Sequence, residues 1–399
     1  MDGRASPMPT LDQRLAQELQ RIREAQLYRV RRTVEGAHGI EITVEGKACL
    51  NFCSNDYLGL ASDPRVAEAA RKALSESGTG SGAAALVSGY NREHRSLEEE
   101  LAAFLGRPRV LLFSTGWAAN LGVLRALLGK NDTLIADELN HASLIDGGRL
   151  SGANYLRISH AQTGAYAHAL AQPRGGETLI VTDSVFSMDG DLAPLKQLAA
   201  LSAHHGATLM VDDAHGLGVL ADDGSGAVRK AGLSAAEVPI YVATLGKSLG
   251  AAGAFVAGSE NLIEYLIQRA RSWVFSTAPP PAIAAAARAA LRIVQIEPQR
   301  RTQLHANIRR LREGAVQLGI PLSDSQTAIQ PLIVGDEARA LSLSKFLYER
   351  GIWVAAIRPP TVPKGTSRLR ITLSAAHTEA QIDQILAVLD EGLRAETKA

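Results

Sequence analysis

Cysteine is nearly absent. The 399 residues hold two, Cys49 and Cys53, close together in an apolar run. They read as small buried thiols rather than a disulfide or a metal pair, and a reducing compartment is the default. An excess of either charge is missing too: 42 Lys and Arg face 41 Asp and Glu, a net charge of +1. That balance argues against nucleic acid or a membrane surface as a partner. No apolar run approaches the roughly 20 residues of a membrane span. The N-terminus lacks the apolar core of a secretion signal, and it carries Asp2, Asp12, Glu18 and Glu24, which a transit peptide avoids. The expectation is a soluble, cytoplasmic protein. A hydrophobic content of 46% excludes disorder, and the length suits two domains or one large and one small. No internal repeat or low-complexity segment is visible.

The pattern along the chain is α/β. Thr10-Leu-Asp-Gln13 reads as a capping box that opens a helix with Leu11, Leu15, Leu19 and Ile22 on one face. The runs 40–44 and 48–52 alternate like a strand pair across a turn at Glu45-Gly46. Helical periodicity then covers 64–77, 93–105, 117–128, 143–150, 194–204, 260–271 and 280–296. Short apolar runs lie between at 110–113, 133–136, 155–158, 178–182, 208–211, 240–244 and 254–257. Seven such strands separated by helices predict a mostly parallel sheet covered on both faces. Beyond Gln299 a long polar helix, strands at 328–334, 352–357 and 368–373, and a capped helix from Thr378 predict a smaller α/β domain. The expected division is an N-terminal segment 1–60, a large domain 61–290 and a small C-terminal domain 291–399.

Open α/β sheets bind ligands at the carboxyl ends of their strands, so those ends carry the chemistry. Thr208-Leu-Met-Val211 runs into Asp212-Asp-Ala-His215. A metal is possible for Asp-Asp-x-His, but no other acid or histidine cluster completes a coordination shell, and no metal is expected. Thr178–Thr182 runs into Asp183-Ser-Val-Phe-Ser-Met-Asp-Gly190. Val110–Phe113 leads to Ser114-Thr-Gly-Trp-Ala-Ala-Asn120, a glycine turn opening a helix whose first amides suit a phosphate. Thr133–Ala136 leads to Asp137-Glu-Leu-Asn-His141. Gly78-Thr-Gly-Ser-Gly82 follows a helix rather than a strand, which excludes a dinucleotide fingerprint.

Val242-Ala-Thr-Leu-Gly-Lys-Ser-Leu-Gly250 admits three readings. Gly-Lys-Ser ends a phosphate loop, but the glycine required five positions earlier is Tyr241. Gly246-Lys-Ser-Leu-Gly250 fits a nucleophile elbow, with Asp336 and His377 following Ser248 in hydrolase order. The third reading gives Lys247 an uncrowded amine able to bond to a planar aldehyde. Only this one uses the other strand ends: a phosphate nest, an aspartate, a histidine and a lysine are the set that pyridoxal 5'-phosphate (PLP) chemistry requires.

Ser54-Asn-Asp-Tyr-Leu-Gly59, Phe186-Ser-Met-Asp-Gly-Asp191, Val211-Asp-Asp-Ala-His-Gly216 and Thr244-Leu-Gly-Lys-Ser248 resemble the α-oxoamine synthases. These are fold-type I PLP-dependent transferases that condense an amino acid with an acyl thioester and release carbon dioxide. The resemblance runs from about Leu27 to the last helix and makes 61–290 the PLP-binding domain. Ile357-Arg-Pro-Pro-Thr-Val-Pro363 with Gly365-Thr-Ser-Arg-Leu-Arg-Ile-Thr372 resembles the branch that joins L-alanine to a pimeloyl thioester, on acyl carrier protein or coenzyme A, in biotin synthesis.

Carried over by position, the resemblance makes Lys247 the Schiff-base lysine and proton carrier. It pairs Asp212 with the ring nitrogen and His215, helped by Ser187, with the ring hydroxyl. His141 stacks on the ring and assists proton transfer. Gly116 and Trp117 offer backbone amides, Thr244 a hydroxyl to the phosphate, and Thr277 reaches it from the second subunit of a homodimer. Asn55 and Arg358 hold the amino-acid carboxylate; Arg29 and Thr361 touch substrate. Trp117 stands where Phe or Tyr is usual, and Gly82-Ala-Ala-Ala-Leu86 replaces a glycine- and serine-rich stretch, so no site residue is expected there. The rival readings are a sibling synthase using glycine or serine, a serine hydrolase on Ser248, and a scaffold without activity.

Overall fold

The computed structural model describes residues 9–397. Asp2 and the outer ends of the first and last expected segments lie outside the described residues. Continuous apolar runs become strands buried on both faces: Thr133–Asp137 and Thr178–Asp183 have no exposed position. The seven-stranded sheet has the spatial order Arg109–Phe113, Ala254–Gly258, Ile240–Thr244, Thr208–Asp212, Thr178–Asp183, Thr133–Asp137, Asn154–Ile158. Ala254–Gly258 runs antiparallel to both neighbours, and the other pairs are parallel. Side chains alternate between two core layers, so Leu111, Leu134, Val181, Met210 and Val242 pack on one face and Leu112, Ile135, Ile180, Val211 and Tyr241 on the other.

This topology gathers the functional segments. Parallel strands put Phe113, Asp137, Asp183, Asp212 and Thr244 at one edge of the sheet. The antiparallel return pairs Thr244 with Ala254, so the connection holding Lys247 is a hairpin at that same edge.

The N-terminal and C-terminal segments share a second sheet. Val34–Glu35, Glu41–Val44 and Lys47–Asn51 form antiparallel neighbours. Their tight turn uses Glu45 and Gly46, both at positive φ (49° and 78°), which gives the twist a two-residue hairpin needs. Ile352–Trp353 then adds parallel to Lys47–Asn51. A third sheet, in the order Ile329–Gly335, Ser367–Thr372, Ala355–Ile357, is antiparallel.

The single strand expected over 352–357 is therefore two, divided at Val354. Its halves pair with different sheets, a change of partner that apolar content alone does not reveal. The helix Thr163–Ala171 was not expected, because alanines and Gly164 blur its apolar face. The helix expected over 260–271 stops at Arg269, and a short helix, Arg271–Val274, follows. The capping box is present: the Gln13 amide donates to Thr10 Oγ1 at 3.2 Å and the Thr10 amide to Gln13 Oε1 at 2.9 Å. Cys49 is buried, Cys53 half-buried, and both thiols are free. No described helix is long and apolar enough to cross a membrane.

Candidate active site

Asp212 and Asp183 are register partners at the ends of adjacent strands. A carboxylate at this depth is costly unless its oxygens are hydrogen-bonded. Asp212 Oδ1 accepts the Ala214 amide at 3.0 Å and Oδ2 accepts Asn120 Nδ2 at 2.6 Å. Asn120 lies one turn inside the helix Gly116–Leu127 and also donates to Ser143 Oγ at 2.9 Å, which in turn meets His141 Nδ1 at 2.7 Å. Asp212 and His141, far apart in sequence, are thus joined through Asn120 and Ser143. Asn120 Oδ1 is buried with no hydrogen-bond partner among the described residues. Asp213 turns into the core, where it accepts the Tyr241 hydroxyl and the Ala227 amide, both at 2.8 Å, and the Ser184 hydroxyl. Burial raises its pKa to about 7, and it is the structural carboxylate of the pair.

Lys247 Nζ lies 2.8 Å from His215 Nε2. Burial lowers the lysine pKa to about 8; the charges of Asp212 and Asp183 oppose this, and Arg370 adds to it. His215 is buried, and burial with the Lys247 and Arg370 charges holds its pKa well below the usual histidine value. Its Nδ1 is 2.6 Å from the Tyr57 hydroxyl. Burial and Asp212 raise Asp183, although the His141 amide donates to it at 2.6 Å. His141 is an exposed residue. Protein packed against its ring still lowers its pKa, more than the Asp212 charge raises it.

Thr115 caps the helix that begins at Gly116, its Oγ1 accepting the Ala118 amide at 3.0 Å. The amides of Gly116 and Trp117 have no helical carbonyl behind them, and a Cβ on Gly116 would meet nothing within 4 Å. The Trp117 ring stands edge-on to His141, centroids 6.3 Å apart. Thr244 Oγ1 accepts the Gly246 amide at 3.2 Å and donates to the Gly253 carbonyl at 3.0 Å. Thr277 is exposed in a bridge to Ala84.

The resemblance pairs Asn55 with Arg358, whereas the guanidinium that the structure places on Asn55 is that of Arg370. Its Nη1 donates to Asn55 Oδ1 at 3.1 Å and its Nε to the Ser187 carbonyl at 2.6 Å. Arg358 donates to the Gln26 and Tyr28 carbonyls, beside Arg29, which donates to Thr361 Oγ1 at 3.2 Å. Sequence reasoning missed Arg370. The available signal was Ser367-Arg-Leu-Arg-Ile-Thr372, where alternate arginines share one face of the strand while Leu369 and Ile371 take the other; both arginines are buried.

The hydrolase constellation does not assemble. Ser248 is buried and donates to the Leu217 carbonyl at 2.5 Å. Asp336 caps the helix Glu337–Glu349 by accepting the Arg339 amide. His377 stacks on Phe52 at 4.2 Å, with burial lowering its pKa to about 4.

A buried carboxylate, a neutral imidazole, an amine of lowered proton affinity and a helix N-terminus opening into free space surround one strand edge. This donor set fits PLP, and the fold is that of the fold-type I PLP-dependent transferases. The model of the aminotransferase class I and II family matches residues 47–389. The 8-amino-7-oxononanoate synthase of Thioalkalivibrio sulfidiphilus is 58% identical over 95% of this chain and 97% of its own, and that of Methylococcus capsulatus 56% over 95% and 98%. The chain belongs to the 8-amino-7-oxononanoate synthases. Among solved structures, a serine palmitoyltransferase from S. paucimobilis with bound PLP–myriocin aldimine superposes with a TM-score of 0.92 at 29% identity, covering 99% of this chain and all of that one. The 8-amino-7-oxononanoate synthase of Francisella tularensis superposes with a TM-score of 0.77 at 32% identity, covering 88% and 99%.

Proposed function

We propose that this chain condenses L-alanine with a pimeloyl thioester, on acyl carrier protein or coenzyme A, releasing carbon dioxide and the thiol. The observation that carries this reading is the Lys247 amine, held against neutral His215 beside Asp212 and within the field of Arg370. When bound, PLP supplies an aldehyde that captures an amine and a cationic ring that delocalises the electron pair left at the α-carbon. Asp212 would hold the proton of the ring nitrogen, and its own hydrogen bonds from Asn120 and Ala214 keep it in place. His215 and Ser187 would face the ring hydroxyl, and His141 the ring. The Gly116 and Trp117 amides, with Thr244, would take the phosphate.

Arg370 and Asn55 would hold the alanine carboxylate, since a buried guanidinium is a fixed donor fork for that group. Lys247, freed of its proton at modest cost, removes the α-proton and later returns one to the same carbon. Between those steps the α-carbon bonds to the acyl carbonyl, the thiolate leaves, and the carboxylate departs as carbon dioxide. Arg29, Arg358 and Thr361 would line the acyl-carrier side.

A homodimer is part of the proposal. Leu86, Val87 and Phe275 expose 55%, 79% and 70% of their surface near Thr277, an apolar face suited to a second copy that would bring Thr277 to its partner's phosphate. Balanced charge and two free thiols support a cytoplasmic location. The test is the absorbance of the PLP-loaded protein titrated with L-alanine, glycine and L-serine. Perturbation at the lowest concentration by alanine is expected, and a preference for glycine or serine would move the chain's activity to a sibling reaction.

A further inference from the structure

His141 is the N-cap of the helix Ala142–Ser151, and its capping atom is a ring nitrogen. Nδ1 accepts the Ser143 amide at 3.3 Å and lies 2.7 Å from Ser143 Oγ. An amide only donates, so Nδ1 is a bare lone pair. Counting hydrogens at Ser143 gives the same result. A carboxylate only accepts, so the Asn120 atom 2.6 Å from Asp212 is Nδ2. That nitrogen gives its second hydrogen to Ser143 Oγ at 2.9 Å. Ser143 is buried, and among the described residues His141 Nδ1 is the acceptor left for its hydroxyl hydrogen. The direction runs from Asn120 through Ser143 to His141. A neutral imidazole has one hydrogen, which then sits on Nε2, an atom with no hydrogen-bond partner among the described residues.

We propose that Ser143 is a positioning residue: its hydroxyl and amide hold His141 in the tautomer that turns a neutral Nε2–H toward substrate. The proposal rests on the reading of this strand edge as the PLP site with His141 facing the ring. It divides the proton work, His141 donating a hydrogen bond while Lys247 moves the α-proton. A histidine acting as base there would need a bare Nε2, and hence a hydrogen on Nδ1 aimed at two donors. An imidazolium meets the same clash, and it also sits at the positive end of a helix. Asp212 thus sets the tautomer of a histidine three hydrogen bonds away, through Asn120 and Ser143.

The charges around His141 are few. Asp212 favours the imidazolium and Lys247 opposes it. His215 lies within the same field, and Asp183 accepts the His141 amide at 2.6 Å.

The test uses ring-15N histidine in the cofactor-free and the PLP-loaded protein, the His141 signals being identified by their loss in His141→Asn. In the wild type at pH 7 we expect an unprotonated Nδ1 and a protonated Nε2, with and without L-alanine. In Ser143→Ala only the longer amide contact remains. We expect both tautomers to be populated there and the His141 midpoint to rise by about one pH unit, the worth of one hydrogen bond. A wild-type His141 with its hydrogen on Nδ1 would overturn the proposal without any variant, as would a Ser143→Ala protein with tautomer and midpoint both unchanged. The cofactor-free spectra involve neither PLP nor turnover, so a failure of the proposed reaction would be seen separately in the alanine titration.

Discussion

Lys247 should titrate near pH 8 in the cofactor-free protein, far from the usual value of 10.5. The cause is burial, which disfavours the ammonium, only partly offset by Asp212 and Asp183. A displacement of about 2.5 in pKa corresponds to about 3 kcal/mol against the charged form. At pH 7 it raises the neutral fraction from about 1 in 3,000 to about 1 in 11, roughly 300-fold. Trace labelling with acetic anhydride across pH 6–11, read on the Lys247 peptide, measures the midpoint. Asp212→Asn removes the leading charge that favours the ammonium, so in that variant the midpoint should fall further. A wild-type midpoint near 10, or an upward move in Asp212→Asn, would refute the reasoning. The stability sign follows from the same numbers: between pH 8 and 10.5 the unfolded chain holds a proton that the folded chain lacks. Lys247 therefore costs stability below about pH 8, and that cost is relieved as pH rises through this window.

Arg370→Lys should raise the alanine KM about tenfold or more, the worth of a charge-assisted hydrogen bond and a lost fork, with PLP affinity little changed; an unaltered KM would remove Arg370 from the carboxylate site. His160 bridges Asp137 at 3.0 Å and Asp191 at 2.8 Å, and these bonds raise its pKa to about 10. Its stabilising effect is full below about pH 6.5, the usual histidine value, and is lost as pH rises through 10, so the Tm gap between wild type and His160→Gln should narrow with rising pH; a constant gap would show that the imidazole acts without its charge. Ser248→Ala should lose about 1 kcal/mol of stability with its hydrogen bond to Leu217 but keep turnover within about twofold, whereas loss of turnover in a folded variant would revive the hydrolase reading.

The large sheet was legible because parallel strands buried on both faces read as short apolar runs, and the residues after those runs fall at one edge. Lys247, Asp212 and His215 could be chosen from that rule together with the resemblance. The supporting groups were not legible, because pairing distant in sequence makes them neighbours. Arg370 reaches Asn55 because the Thr372 amide bonds to the Phe52 carbonyl at 2.7 Å, tying the third sheet to the loop after Lys47–Asn51. Asn120 finds Asp212 across 92 positions of sequence, and its signal was only a polar residue among apolar ones in the helix Gly116–Leu127. The division at Val354 has the same origin: both halves are extended and apolar, and only the partners differ.

The most direct test of the central claim is mass-spectrometric detection of product from L-alanine and a pimeloyl thioester on the PLP-loaded protein, with carbon dioxide and thiol counted together. The account predicts 8-amino-7-oxononanoate with one carbon dioxide per thiol, and no product from a folded Lys247→Ala variant. Thiol release that yields only free pimelate, or condensation that persists without Lys247, would contradict it.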